Sequence, residues 1–505
     1  MNNQITVTVN GLQMQSVYGI PLSELINGEK PCGGHGKCGK CKVIAKGNLS
    51  ALTDAERQLL TQDELAKGVR LACLTYALGE CNIETVSERE QTQIVSNGDL
   101  PQFDLNPTFS QYGVAIDIGT TTLAARLYDT KGNLLSEISR LNPQQAWGAD
   151  VISRIEAALD GKAKALANSI RKALDEMLDE LAESANIDTK SIDGVVITGN
   201  TVMLSLLTEE SVEPFSHAPF DAKCLFGETL TAKELELSNL LSNTKIYLPP
   251  CISAFVGADT TCAILATELT KQTDPTMLAD IGTNGEMALW SNETLTVCST
   301  AAGPAFEGVG LSMGMRGAVG AIDKVSLQDG NLKAHVIGGT EPKGICGSGL
   351  VDAVACMLEQ EILDESGFLE DEPFEIQAPV TLTQKDIRML QLAKSAICAG
   401  LMTLIQNEKL QPSDIHTLYI AGGFGSYLNT ASAAKIGLLP KALAQNAKAV
   451  GNAALGGAAM TLLNADIKAQ TTEFAKDATV FDLSTNATFS DIYMSGMIIG
   501  ELNLK

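Results

Sequence analysis

Four cysteines near the start of the chain are spaced for chemistry. The run Pro31-Cys32-Gly33-Gly34-His35-Gly36-Lys37-Cys38-Gly39-Lys40-Cys41 sets three thiols at C-x5-C-x2-C on one glycine-rich loop, and Arg70-Leu71-Ala72-Cys73 adds a fourth from a separate segment. Three thiolates from a wrapping loop and one from outside suit two bridged irons, because the glycines free φ and bring backbone N–H groups close to sulfur. Zinc also accepts four thiolates, but zinc ribbons pair two C-x2-C knuckles and only one is present. Cys81 competes with Cys73 for the fourth position, and His35, between glycines, reads as a solvent-facing loop residue.

A second pattern occurs twice. Asp117-Ile118-Gly119-Thr120-Thr121-Thr122 and Asp280-Ile281-Gly282-Thr283-Asn284-Gly285 each follow an apolar strand. A carboxylate at such a strand end can hold Mg²⁺ through water, while turn N–H and hydroxyl groups bind phosphate oxygens. One such motif is an ordinary turn; its recurrence points to a nucleotide held between two related halves. No G-x4-G-K-[ST] loop occurs, which excludes the P-loop NTPases.

The elements that must position these residues are legible in outline. An alternating strand, Ile5-Thr6-Val7-Thr8-Val9, and a short helical pattern, Ile20 to Ile26, precede the cysteine loop. Residues 1–86 form a first domain, and 87–111, polar and aperiodic with Pro101 and Pro107, read as a linker with an r.m.s. span of roughly 25–30 Å if flexible. Then the chain repeats itself, in halves 112–272 and 273–505. After each Asp-Ile-Gly-Thr come two more strands, Leu123–Asp129 and Leu134–Arg140 in one half, Met287–Trp290 and Leu295–Thr300 in the other. Val195-Val196-Ile197-Thr198-Gly199-Asn200 matches Leu418-Tyr419-Ile420-Ala421-Gly422-Gly423, each after a long helix, Val151–Ser184 and Thr383–Gln406. Val256-Gly257-Ala258-Asp259 matches Val450-Gly451-Asn452-Ala453, each opening an alanine-rich helix.

Bulk properties agree. At 505 residues the chain exceeds one core and divides into roughly two to four domains. Apolar residues at 45% with 45 glycines suit a soluble α/β protein rich in tight turns. A net charge of −24 excludes nucleic acid as partner. Twelve cysteines spread through a long chain without a leader pattern imply free thiols for most, the tight group near the start excepted. With no run of 18 apolar residues, a cytoplasmic protein without membrane partner is expected.

The cysteine loop resembles that of the adrenodoxin-type ferredoxins, one residue longer than the plant-type C-x4-C-x2-C. That resemblance implies a β-grasp domain whose [2Fe–2S] cluster is held by Cys32, Cys38, Cys41 and Cys73. Cys73 is preferred to Cys81 because its apolar, strand-like setting is similar to that of the fourth ligand in this class. The duplicated part resembles the actin-like ATPases, whose ribonuclease H-like halves face their phosphate loops across ATP and Mg²⁺. The fold class is therefore α/β and α+β. By the same likeness Asp117 and Asp280 serve catalysis, as does Asp259, which also suits a plain helix cap. Gly119, Thr120, Thr121, Thr122, Gly282, Thr283, Asn284 and Gly285 bind phosphate, and Gly422, Gly423 and Gly425 lie against adenosine. Gly344–Gly349 is similar to the second connecting segment, with Cys346 as a packing residue.

Over its whole length the sequence resembles the reductive activators of corrinoid proteins. The likeness rests on the cysteine loop, both Asp-Ile-Gly-Thr loops, Gly303-Pro304-Ala305-Phe306-Glu307-Gly308 and Met315-Arg316. Longer members of that family place an extra middle domain before the ATPase; here the linker leads almost directly into the first phosphate loop, which would alter partner recognition. The resemblance implies an ATP-dependent enzyme that returns Co(II) corrinoid on a methyl-transfer protein to Co(I). Its partners would be that corrinoid protein and an unidentified electron donor, and a homodimer is allowed. Two rivals are an electron donor of the acyl-CoA dehydratase activator type and a kinase with a redox-sensing ferredoxin appendage. Against the first, no suitably spaced cysteine pair stands out in residues 112–505; against the second, no clear phosphoryl-acceptor site is visible.

Overall fold

The structure is a computed structural model that describes residues 4–9, 12–26, 39, 41–85 and 100–501. Cys32, Cys38 and residues 87–99 of the expected linker lie outside the described residues. The chain forms two compact units, one of Met1–Glu90 with Asn142–Ile170 and one of Gln91–Leu141 with Arg171–Lys505.

In the first unit, β1 (Gln4–Val9), β2 (Leu12–Val17), β3 (Ile20–Pro21), β4 (Lys42–Leu49), β5 (Val69–Leu71) and β6 (Tyr76–Thr85) form one mixed sheet. Its order is β2-β1-β6-β4-β5, with β3 also on β6 and β1 parallel to β6, the β-grasp arrangement expected. Alternation in β1 sends Val7 into a core with Leu22, Val43, Leu71 and Ile83.

One buried carboxylate ties this unit together. Glu56, on the helix Asp54–Leu59, has no exposed surface. Its Oε1 accepts from Arg70 Nε (2.9 Å), Leu71 N (3.1 Å) and Thr75 Oγ1 (3.0 Å). Its Oε2 accepts from Thr53 N (2.9 Å), Thr53 Oγ1 (3.0 Å) and Arg70 Nη2 (3.1 Å). Burial pushes this carboxyl up, but the Arg70 guanidinium and these N–H donors outweigh it and hold the group at about 2.

The helix expected over Val151–Ser184 is interrupted. Asp160 (ψ 19°) and Gly161 (φ 82°) leave helical geometry, so a helix over Val151–Ala157 gives way to one over Ala163–Ser184. The apolar spacing continues through the break, so periodicity alone does not reveal it.

The second unit carries the duplication as two six-stranded sheets. The first contains β7 (Tyr112–Ile118), β8 (Thr122–Asp129), β9 (Leu134–Leu141), β10 (Ile192–Gly199), β11 (Glu228–Thr231) and β12 (Lys245–Leu248) in the order β11-β12-β10-β7-β8-β9. After it come β13 (Thr276–Ile281), β14 (Gly285–Ser291) and β15 (Thr294–Thr300). A small sheet of β16 (Ala321–Gln328), β17 (Asn331–Val336) and β18 (Gly344–Ile345) and a hairpin of β19 (Phe374–Gln377) and β20 (Val380–Leu382) follow. Then β21 (Thr417–Ala421), β22 (Ala447–Gly451) and β23 (Thr479–Val480) complete a sheet ordered β22-β21-β13-β14-β15-β23. Five strands of each share one pattern: three antiparallel strands, then two parallel ones in succession beside the first, β10 on β7 and β12 on β10, β21 on β13 and β22 on β21. β7 and β13 are buried almost throughout, which is why they read as unbroken apolar runs.

Residues 100–111, expected as linker, are packed into this unit. Thr108 N and Oγ1 donate to Leu462 O, Asn106 bridges Asn464, and Phe109 is 8% exposed. Phe109 fills room left by missing side chains: a Cβ on Gly113 or Gly194 would stand 2.5 or 2.7 Å from its atoms.

The two alanine-rich helices, Ala258–Ala266 and Ala453–Leu463, cross each other closely. A Cβ on Gly457 would lie 1.9 Å from Cys262 O. The helix Gln384–Asn407, long and apolar enough by composition to cross a membrane, lies in the core of the second half, with 83% of its most apolar 18-residue stretch buried.

Candidate functional site

Four chain ends meet at one cleft. β7 delivers Asp117, β13 delivers Asp280, the helix Ala258–Ala266 opens with Asp259, and β21 runs into Gly422 and Gly423. All five line the cleft with Gly119, Thr120, Thr121, Thr122, Gly282, Thr283 and Asn284. Two expected members do not. Gly285 sits in β14 with no room for a side chain, its Cβ position 2.4 Å from Ile397 Cδ1. Gly425 likewise backs onto Ile420 Cγ2 at 2.5 Å. In both, close packing requires the glycine.

The cleft is acidic at its base. Burial raises Asp117 to about 7, against the pull of the Asn452 amide and with the charges of Asp259 and Asp280 adding to the rise. Burial and the charges of Asp259 and Glu307 raise Asp280 to about 7. Burial raises Asp259 to about 6 against the Thr260 N–H, which donates to it at 2.7 Å. Glu286 is pushed well up by burial and by Asp259 and Asp280. Asp280 and Glu286 stand directly opposite each other across β13 and β14, where like charges repel.

Polar contacts cross the cleft. Asn452 Nδ2 donates to Asp117 Oδ2 (2.9 Å) and Thr121 Oγ1 donates to Glu307 Oε2 (2.7 Å), each joining one half to the other. Asn200 Nδ2 donates to Thr120 Oγ1 within the first half (3.1 Å). Thr283 Oγ1 is buried with no hydrogen-bond partner, although such hydroxyls are normally satisfied. Gly423 faces open space, and Gly422 adopts φ 89°, its Cβ position 2.8 Å from Asp280 Oδ1. The clustered carboxylates and the orphaned hydroxyl suit a phosphate chain and a divalent cation. Among the described residues no three His, Cys, Asp or Glu side chains converge as direct ligands of an ion.

The stretch Gly303–Gly317 is a further wall, supplying Phe306, Glu307, Arg316 and Gly317. Backbones pass so closely that glycine is required: Cβ positions on Gly308 and Gly347 would lie 2.2 Å from Met315 O and 2.0 Å from Phe306 O. Phe306 stacks on Phe424 at 4.5 Å, and Ser312 N donates to Asp386 Oδ1 at 2.7 Å. Cys346 also lines the cleft, its Sγ 3.3 Å from Ser348 Oγ. Motif reasoning left Asn200, Glu286, Glu307, Arg316 and Asn452 without roles. The signal for the two asparagines was their place just past matched glycine turns, and for Glu286 its place one residue beyond the second loop.

In the first unit, Cys41 Sγ donates to Cys73 Sγ at 3.2 Å with no disulfide between them, where β4 begins and β5 has ended. Cys81 is opposite Gly47, six residues along β4 from Cys41, roughly 20 Å away at about 3.3 Å per residue. It is 4% exposed in the sheet core, where burial raises its thiol. Two thiols 3.2 Å apart, one of them directly following the glycine-rich run in sequence, fit a thiolate-held cluster.

Three family models match the chain. A 2Fe-2S iron-sulfur cluster binding domain matches residues 6–78, the RACo middle region 112–272, and the C-terminal domain of RACo, the ASKHA domain, 274–505. The expectation that a middle domain is missing is thereby corrected: that region is residues 112–272, whose sheet repeats that of the second half. The chain is 35% identical over 421 residues to the corrinoid activation enzyme RamQ of Eubacterium limosum, covering 77% of this chain and 70% of that one. It is 28% identical over 417 residues to the [Co(II) methylated amine-specific corrinoid protein] reductase of Methanosarcina barkeri, covering 76% of each. A solved structure of a reductive activator for corrinoid, iron-sulfur protein matches with 28% identity over 98% of each chain at a TM-score of 0.71.

Proposed function

The chain belongs to the RACo-type reductive activators, and on that premise we propose that it uses ATP to return Co(II) corrinoid, carried on a methyl-transfer protein, to Co(I). The observation that carries this reading is the pair of Asp-Ile-Gly-Thr loops facing each other in one cleft, within a chain that also brings Cys41 and Cys73 within 3.2 Å.

A [2Fe–2S] cluster, held by Cys41 and Cys73 with Cys32 and Cys38 of the preceding loop, supplies a one-electron carrier near about −400 mV. Cys81 stays a core thiol. In the cleft, Gly119 to Thr122 and Gly282 to Asn284 bind the phosphates through turn N–H and hydroxyl groups, the unpaired Thr283 Oγ1 among them. Asp117, Asp280 and Asp259 position hydrated Mg²⁺ and the attacking water, and Gly422 and Gly423 admit adenosine. Cation binding would favour the ionised forms of Asp117 and Asp280, which burial raises to about 7.

Reduction of Co(II) is more demanding than a ferredoxin potential satisfies, and each factor of ten in equilibrium is about 59 mV for one electron. ATP supplies that by shifting a binding equilibrium, either favouring a complex with altered corrinoid ligation or releasing the product. No covalent phospho-enzyme is needed. Mixing the purified, reduced protein with a Co(II) corrinoid protein and following Co(I) absorbance tests the proposal. Co(I) should accumulate only with ATP, and equal accumulation without it would sink the reading.

A further inference from the structure

The wall Gly303–Gly317 holds a residue that the nucleotide loops do not explain. Asp117, Asp259, Asp280, Glu286 and Glu307 all line the cleft, yet among the described residues its cationic lining is Arg316, with no lysine. Among the described residues this half-buried guanidinium makes no ion pair or side-chain hydrogen bond, despite five carboxylates on the same cleft. A resting guanidinium ordinarily takes a carboxylate in such surroundings.

Its backbone fixes where it acts. Met315 passes so close to Gly308 that a Cβ there would stand 2.2 Å from Met315 O, so Arg316 follows directly on a contact beside Glu307. Glu307 in turn touches both phosphate loops: Oε2 accepts from Thr121 Oγ1 at 2.7 Å, and Oε1 lies 3.4 Å from a Cβ position on Gly282. Arg316 therefore belongs to the same wall as Glu307 and lines the cleft that both loops line. The glycine contacts and the Ser312–Asp386 hydrogen bond hold this wall to the second half. ATP brings more negative charge than a divalent cation cancels, and a planar fork of donors suits a terminal phosphate's oxygens.

We propose that Arg316 is the specificity-determining contact to the terminal phosphate of ATP, the group by which the cleft distinguishes ATP from ADP. This rests on the nucleotide-binding part of the reading above. Because the adjacent Glu307 holds Thr121 across the cleft, the wall that senses the terminal phosphate also ties the two halves together.

The test measures ATP and ADP affinities of the full-length protein by calorimetry with Mg²⁺, for wild type, R316Q and R316K. Arg316 has no buried partner to leave unsatisfied, and R316K keeps the charge should R316Q fold poorly. For R316Q the expected result is ATP affinity at least tenfold weaker with ADP affinity within about twofold of wild type, since one charge-assisted contact is lost. R316K should fall between. Equal weakening of ATP and ADP, or an unchanged ATP:ADP ratio in both variants, overturns the role of Arg316 alone. A wild-type protein that binds neither nucleotide overturns the nucleotide site and this proposal together.

Discussion

Replacing Glu56 by Gln should loosen the cluster-binding end of the first unit more than any surface change could. The two carboxylate oxygens take six donors, from Thr53, Arg70, Leu71 and Thr75, and the last three flank Cys73. An amide of the same size cannot accept from all of them, and it turns an NH₂ toward donors. The native group is held at about 2 against an ordinary 4.5, which at about 1.36 kcal/mol per pH unit amounts to about 3 kcal/mol. Breaking a buried ion pair from one side costs about 3–5 kcal/mol, in agreement, with the Arg70 side chain here only 12% exposed. A urea titration of the full-length protein, followed through the visible absorbance of the cluster, should show the midpoint falling by roughly 2 M. The folded pKa is depressed, so the native contribution is complete above 4.5 and is lost as pH falls toward 2. Acidification over that window should therefore destabilise wild type and leave E56Q less affected. A midpoint within about 0.3 M of wild type at pH 7, or parallel acid curves, would show that the six contacts contribute little.

Cys73→Ala should abolish the visible iron–sulfur absorbance, whereas Cys81→Ala should keep it and cost about 1 kcal/mol of stability; the two spectra, with denaturation curves, decide it. Asp117→Asn should stop hydrolysis, by a hundredfold or more in phosphate release, while stabilising the nucleotide-free protein. Its folded pKa of about 7 stands above the ordinary 3.8, so the associated stability is present below 3.8 and lost as pH rises through 7. The gain in Tm for the Asn variant should accordingly be larger at pH 8 than at pH 5, and Mg²⁺ with ATP should erase the difference by stabilising wild type alone.

The duplication was legible because it is written in strand patterns: Asp117 and Asp280 end apolar runs, and runs of that kind report burial on both faces. Matched order along the chain then carried the two sheets. What stayed hidden depends on approaches between distant segments. Asn452 meets Asp117 across 335 residues, and Glu307 meets Thr121 across 186. Residues 100–111 look like linker because their own composition is polar, whereas their place is set by Phe109 filling the space over Gly113 and Gly194. Gly285 and Gly425 misled for a related reason. A glycine beside a ligand motif reads as room for ligand, and in both cases the room is taken by an isoleucine.

The crossing of Ala258–Ala266 over Ala453–Leu463 has a mechanical meaning. Where the two helices touch, Gly457 lies on the backbone of Cys262 with no side chain between them, and Gly456, Ala458 and Ala459 keep its immediate neighbours small. Helices that interlock through large side chains must unlock to move, but this contact resembles a bearing. Asp259 lies in the first turn of one helix and Asn452 caps the other, so a slide at the bearing would shift the acidic end of one against the residue that holds Asp117 from the other. A side chain at position 457 would meet the Cys262 carbonyl and act as grit there, forcing the two helices apart.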